Sequence, residues 1–123
     1  FKKVNDTYGH QAGDAVLAGI ADVITQRLRE TDVLARYGGE EFVLLATPME
    51  LNGAVALAER IRALVEASEI PYNGKGIRVT VSIGVKSWEP ALKDDFEELV
   101  RLADDALYGA KEEGRNRVRS ARI

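Results

Sequence analysis

The chain has 123 residues, of which 46% are hydrophobic and 30% charged, with a formal net charge of −3. This balance fits one globular domain and argues against broad nucleic-acid binding, which requires a basic face, but it leaves room for a local basic pocket. The chain has no cysteine, which excludes disulfides and thiolate metal sites. No apolar run is long enough for a membrane span, and no signal-peptide pattern opens the sequence. We therefore predict no nucleic-acid partner and no membrane contact by this domain.

Three segments have the apolar spacing of amphipathic helices. They run from Asp14 to Arg29, from Leu51 to Ser68 and from Phe96 to Lys111. Gly114 is expected to end the third helix. That helix is predicted to point its apolar face inward, including the aromatic residues Phe96 and Tyr108.

The segments between the helices predict strands and turns. A hairpin is predicted over Asp32–Ala46, and strict alternation predicts a half-buried strand over Arg78–Lys86. A turn is predicted around Asn73 and Gly74, and Arg117–Ile123 is a candidate edge strand. This order predicts an α+β fold, a two-layer sandwich with a mainly antiparallel sheet flanked by helices. A strand ought to precede the first helix, and none is present in the chain.

The run 37–42, Tyr-Gly-Gly-Glu-Glu-Phe, is the most informative segment. Gly38 and Gly39 permit the positive φ of a two-residue hairpin turn, which predicts that Glu40 and Glu41 lie at its tip. Exposed carboxylates gain nothing from crowding unless a cation or a polar substrate joins them. Successive strand residues point to opposite faces, so the two glutamates should have unequal roles. For Gly-Gly alone, an ordinary solvated turn would be the better interpretation; Tyr37 and Phe42 are assigned to packing.

These segments together resemble the GGDEF domain of diguanylate cyclases. The matching parts are residues 1–14, the run 36–42 in the GGEEF spelling, the strand 81–85 and the segment 103–116. The match is in order and spans nearly the whole chain. It implies a single GGDEF domain over residues 1–123, with a fold that resembles the palm of polymerases and nucleotide cyclases.

Members of this family carry a metal-binding aspartate on a strand just before the Phe-Lys pair that opens this chain. The missing strand and the missing aspartate agree, so we interpret the chain as an N-terminally truncated domain. We expect this fragment by itself to be weakly active or inactive.

The resemblance implies that two domains, each holding one GTP, join the nucleotides into cyclic di-GMP and release two pyrophosphates. Glu40 would bind Mg²⁺ or Mn²⁺ and assist deprotonation of the ribose 3′-hydroxyl, while Glu41 would support the metal site. The implied substrate-binding residues are Phe1, Lys2, Asn5, His10, Asp14, Gly38, Gly39, Lys111 and Arg115. Phe1 and Lys2 would act through the backbone near the phosphates.

Several of these residues have plain alternatives. Asn5 and Asp14 match positions that read guanine, although both types also favour helix capping. His10, the one histidine of the chain, sits in the same motif, and a lone histidine is often structural. Lys111 and Arg115 match phosphate-binding positions, yet cations near a helix end also suit the helix dipole.

The resemblance also implies an inhibitory product site. Arg29 and Asp32 fit an RxxD pattern at the family's offset from the GGEEF turn, and Arg60 matches its additional arginine. Arginine suits phosphodiester oxygens because its planar fork donates two parallel hydrogen bonds. The alternative is a surface ion pair between Arg29 and Asp32.

The leading hypothesis is therefore a diguanylate cyclase domain that forms a homodimer and is inhibited by its product. A non-catalytic cyclic di-GMP receptor is the alternative, and a purely structural dimerisation domain would leave the charged clusters unexplained. We expect an upstream sensor domain in the parent protein and a cytoplasmic location, with membrane tethering of the parent left open.

Overall fold

The computed structural model describes residues 7–38, 41–46, 50–87 and 96–121. Antiparallel ladders join β1 to β2 and β3 to β4, and a parallel ladder joins β5 to β6. The prediction of a mixed α+β fold is confirmed. In chain order the elements are helix α1 (His10–Thr25), strands β1 (Val33–Gly38) and β2 (Glu41–Leu45), helix α2 (Leu51–Ala67), strands β3 (Ile70–Tyr72), β4 (Lys75–Ile77) and β5 (Ile83–Val85), helix α3 (Phe96–Glu112) and strand β6 (Val118–Ser120).

The chain divides into two compact units. Unit 1 contains residues 1–47 and 64–79, and unit 2 contains residues 48–63 and 80–123. None of the helices in the described ranges combines the length and the apolar composition of a membrane span.

Helix α1 supplies much of the core of unit 1. An added Cβ at Gly19 would lie 2.6 Å from Cγ2 of Ile70, so this glycine allows β3 to approach the helix closely. Full burial of a branched side chain stabilises a fold by about 1.5–3 kcal/mol. The buried apolar residues of this helix are Ala12, Val16, Leu17, Ile20 and Ile24.

The predicted bounds of α1 are wrong at both ends. The helix begins at His10 and ends at Thr25, four residues earlier in each case than predicted. Beyond it, the N–H of Leu28 donates to the carbonyl of Thr25 at 3.1 Å, a tighter i→i−3 turn. This turn keeps Leu28 half-buried, and the helical apolar spacing therefore continues past the end of the helix.

The segment after α2, predicted only as a turn, is a small hairpin. Asn73 and Gly74 have φ of 49° and 77°, the positive values that both central residues of a type I′ turn require. Each strand has three residues, which is too short for apolar alternation to reveal it.

Unit 2 is built on helix α3, which packs against β5 and β6. A Cβ on Gly84 of β5 would collide with the carbonyl oxygen of Ala103 and lie 2.5 Å from the backbone nitrogen of Leu107. Gly114 has φ of 122° and follows the helix end, as predicted. Phe96 and Tyr108 were predicted to be buried, but their side chains are 51% and 66% exposed. Neither belongs to the face of α3 that packs against the strands.

The strands of the parallel ladder of unit 2 are shorter than predicted. Only Ile83–Val85 of the predicted strand Arg78–Lys86 forms a ladder. The expected edge strand is Val118–Ser120, and it runs parallel to β5. Within the described residues, 78–82 have no ladder partner. Alternation of apolar and polar residues indicates which side chains are buried. A ladder also needs a neighbouring strand, which this alternation does not reveal.

Candidate functional site

The predicted hairpin forms, but its register differs from the simple Gly-Gly turn. Gly38 pairs with Glu41 and Arg36 pairs with Phe42, which leaves Tyr37 as an extra residue on β1. The last pair of the ladder is therefore Gly38 with Glu41, so Gly38 belongs to the paired strand β1. Gly39 and Glu40 lie outside the described residues. Tyr37, predicted to pack, is 61% exposed, whereas Phe42 is half-buried.

Glu41 is the first residue of β2 and is half-buried. Its carboxylate makes no hydrogen bond or ion pair with any described residue. A carboxylate at a strand end without such a partner in the described ranges fits a hard divalent cation, which prefers oxygen ligands. Across the described part of the chain, no group of three or more acidic, histidine or cysteine side chains could hold a metal by itself.

The start of α1 carries two further predicted residues. His10 and Asp14 are one helical turn apart, and both are exposed. Gly9, with φ of 93°, is the N-cap, so Asp14 lies inside the helix and the capping alternative for it is wrong. Neither side chain has a polar partner among the described residues. Three other predicted binding residues, Phe1, Lys2 and Asn5, lie outside those ranges.

The end of α3 carries the two predicted phosphate-binding cations. Lys111 is half-buried in the last turn of the helix, and Arg115 is exposed just beyond its end. Neither forms a side-chain ion pair with the described residues. Lys111 is therefore placed to interact with either the helix dipole or a phosphate. Arg115 lies after the last residue of α3.

Residues that the sequence reasoning gave no role fix the turn after α3. Nη1 of Arg62 donates to Oδ1 of Asn116 at 2.9 Å, and the N–H of Asn116 donates to Oγ of Ser82 at 3.1 Å. Asn116 belongs to the segment 103–116 that resembles the family, whereas Arg62 lies outside the matching segments. The sequence signal that could have found Asn116 is the Gly-Arg-Asn triplet after a helix, since glycine and asparagine favour a left-handed turn.

The structure brings Arg29 and Asp32 together just after α1. The N–H of Arg29 donates to Oδ2 of Asp32 at 2.8 Å, and the N–H of Asp32 donates to the carbonyl of Arg29 at 3.0 Å. The two residues are thus joined through the backbone of Arg29, and its exposed guanidinium forms no ion pair with a described residue. Arg60 is an exposed residue of α2 and belongs to the other unit.

Comparison with protein families matches residues 1–117 to the family described as diguanylate cyclase, GGDEF domain. Diguanylate cyclase A of Treponema denticola is 50% identical over 118 residues, which cover 96% of this chain and 32% of that protein. The chain thus spans about a third of the length of this relative.

Solved structures of the same family resemble the fold. The GGDEF domain of YfiN (TpbB) from Pseudomonas aeruginosa has a TM-score of 0.89 and 37% identity, covering 99% of this chain and 76% of that one. The GGDEF domain of DgcB from Caulobacter crescentus, in complex with c-di-GMP, has a TM-score of 0.86 and 34% identity. That match covers 97% of this chain and 70% of that one.

Proposed function

Because this chain belongs to the GGDEF family, we propose that the protein carrying it is a diguanylate cyclase. The 3′-hydroxyl of each GTP attacks the α-phosphorus of the other. Two P–O bonds to pyrophosphate break, two phosphodiester bonds form, and two protons leave with two pyrophosphates. Each domain would hold one GTP, so the active form would be a homodimer.

The observation that carries this proposal is the β1–β2 hairpin with its intact GGEEF residues. The ladder ends at Gly38 and Glu41, and the half-buried carboxylate of Glu41 has no partner among the described residues. Glu40 and Glu41 would hold Mg²⁺ or Mn²⁺, which when bound offsets the triphosphate charge and acidifies the attacking hydroxyl. Glu40, to which the family resemblance gives this role, is proposed to accept the hydroxyl proton.

The start of α1 is proposed to bind guanine. The carboxylate of Asp14 can accept hydrogen bonds from the N1–H and N2–H groups of a guanine edge. Its exposure, and the lack of a polar partner among the described residues, support this role. His10 lies one turn before it on the same side of the helix and would contact the same nucleotide. Asn5, Phe1, Lys2, Gly38 and Gly39 are proposed to complete the substrate site.

Lys111 and Arg115 are proposed to bind the β- and γ-phosphates. Both are cations at the end of α3 without an ion-pair partner in the described ranges, so binding would not require an existing pair to break. A guanidinium adds directed, bidentate hydrogen bonds to the point charge of the lysine.

Substitution of Glu40 tests the proposed chemistry. In the full-length protein, Glu40→Gln keeps the size of the side chain but removes its charge, and we expect at least a ~10²-fold lower rate. Glu50→Gln, on an exposed glutamate just before α2, is the matched control and should stay near the wild-type rate. Cyclic di-GMP formed from GTP and Mg²⁺ would be quantified by mass spectrometry. Near-wild-type turnover by Glu40→Gln would exclude this role for Glu40.

A product-binding role is the second proposal, and it rests on Arg29, Asp32 and Arg60. The exposed guanidiniums of Arg29 and Arg60 have no partner in the described residues, which supports binding of an anionic ligand. The related DgcB domain was solved in complex with c-di-GMP. We propose that cyclic di-GMP binds at these residues and inhibits the enzyme. The same residues would serve a receptor that lacks catalysis.

A further inference from the structure

The turn that follows helix α3 has an unusual backbone. Gly114, Arg115 and Asn116 have φ of 122°, 64° and 47°, three left-handed values in succession. A left-handed conformation is unfavourable for a residue with a Cβ, arginine included, and it persists only where the surroundings hold it. The turn therefore needs an external support.

Hydrogen bonds to helix α3 and to Ser82, all within unit 2, supply part of that support. The N–H of Arg115 donates to the carbonyl of Ala110 at 3.0 Å, and the N–H of Gly114 donates to the carbonyl of Lys111 at 3.3 Å. The N–H of Asn116 donates to Oγ of Ser82 just before β5. All three backbone donors are thus used internally, so the turn can offer an anion only its side chains, among them the exposed guanidinium of Arg115.

Two side chains donate further hydrogen bonds to the turn: Nε of Arg117 donates to the carbonyl of Arg115 at 3.0 Å, and Arg62 of α2 donates to Asn116. Nε and Nη2 of Arg62 donate to Oε1 of Glu59 at 2.7 and 2.5 Å, and its Nη1 donates to Oδ1 of Asn116 at 2.9 Å. The side chain of Arg62 is only 17% exposed, unlike Arg60 two residues earlier. Glu59 holds one edge of the guanidinium, so the other edge is aimed at Asn116. This arrangement uses the planar fork of arginine, which a lysine cannot reproduce.

We propose that Arg62 is a positioning residue for the triphosphate of GTP. Through Asn116 it holds the left-handed turn that presents Arg115, and it thereby raises affinity for the β- and γ-phosphates without touching the nucleotide. This inference rests on the proposed function, because it assumes that Arg115 meets those phosphates. It predicts a loss confined to the triphosphate, since the proposed guanine contacts belong to α1.

The test compares two nucleotides on the full-length protein. Dissociation constants would be measured by calorimetry for the α,β-methylene analogue of GTP, which cannot react at the α-phosphorus, and by competition for GMP. For Arg62→Ala we expect the triphosphate to bind about three- to tenfold more weakly, because a small misplacement of a binding group is costly. GMP lacks the β- and γ-phosphates that Arg115 is proposed to contact. Its binding should therefore stay within about twofold of the wild type.

Three further variants sharpen the result. Asn116→Gly removes the same hydrogen bond from the other side while keeping a residue that tolerates positive φ, so it decides the question if Arg62→Ala does not fold. Arg62→Lys should behave like Arg62→Ala. Arg101→Ala, on an arginine of α3 that bridges Glu98 and Asp105 away from this turn, is the control and should change neither constant. The double variant Arg62→Ala/Asn116→Gly should lose no more affinity than either single variant.

Equal weakening of both nucleotides would show a merely structural role for Arg62 and would overturn the proposal. So would unchanged triphosphate binding in Arg62→Ala and Asn116→Gly, or losses that add in the double variant. If the wild-type protein itself does not bind the GTP analogue, the proposed function fails first, and this inference falls with it. Loss of binding by the wild-type protein is seen without any variant. A failure of the proposed function can therefore be distinguished from a failure of this inference.

Discussion

Gly84 should tolerate no side chain, because β5 meets the backbone of α3 at this residue. The Cβ of an alanine there would collide with the carbonyl oxygen of Ala103 and lie 3.0 Å from Cα of Leu107. The obstacles are backbone atoms of a helix, which cannot turn aside as a flexible side chain can. Overpacking of this kind costs roughly 1–3 kcal/mol, and we expect Gly84→Ala to fall in the upper half of that range.

Gly109 of α3 provides a matched control in the same unit. An added Cβ there meets only Nε of Arg119, at 3.8 Å, which is an ordinary contact. Alanine is the better helix former, so Gly109→Ala should stabilise the helix by roughly 0.5–1 kcal/mol. The two substitutions should thus differ by about 3 kcal/mol, or roughly 10²-fold in the population of open states.

Native-state hydrogen exchange of the α3 and β5 amides measures this difference locally in the full-length protein. We expect protection to fall in Gly84→Ala and to stay equal or rise in Gly109→Ala. If Gly84→Ala were protected as well as Gly109→Ala, the close approach of β5 to α3 would be refuted.

Two other predictions concern the product site and an ion pair. Arg29→Ala should weaken cyclic di-GMP binding in calorimetry by about tenfold to a hundredfold, since each charge-assisted hydrogen bond contributes roughly 1.5–3 kcal/mol; Arg27→Ala is the control, and equal affinity in both would remove the feedback proposal. The side-chain hydrogen bond from Arg101 holds the pKa of Glu98 below its ordinary value of 4.5. Because the pKa of Glu98 is lower in the folded state, the pair stabilises the fold at pH values above the pKa of Glu98 in the unfolded chain. This stabilisation is lost as the pH falls through the pKa of Glu98 in the folded state. In Arg101→Ala an NMR titration should find the pKa of Glu98 raised towards 4.5, and an unchanged value would contradict the pairing.

The β1–β2 hairpin was predictable because two glycines between apolar runs favour a turn. Its register was not, since composition cannot show that Gly38 pairs with Glu41 and that Tyr37 bulges. The start of α1 was missed because its first buried residues, Ala12 and Gly13, carry too little apolar surface to mark a helical face.

The support of the turn after α3 shows what lies beyond sequence reasoning. Arg62 and Asn116 are 54 positions apart, and Ser82 and Asn116 are 34 apart, so no local pattern links them. The resemblance to the family identified the cations Lys111 and Arg115 as candidate phosphate-binding residues. The hydrogen bonds that hold the turn at Arg115 depend on tertiary packing. By contrast, the pair Arg29 and Asp32 is local, and its sequence spacing was enough to predict that the two residues meet.

The stoichiometry of the reaction tests the central proposal most directly. The full-length wild-type protein would be incubated with GTP and Mg²⁺, and cyclic di-GMP and pyrophosphate would be quantified in the same samples. A diguanylate cyclase must release two pyrophosphates for each cyclic di-GMP, at a rate per protein that rises with protein concentration as the dimer forms. Binding of cyclic di-GMP without any pyrophosphate release from GTP would contradict the cyclase proposal and indicate a receptor.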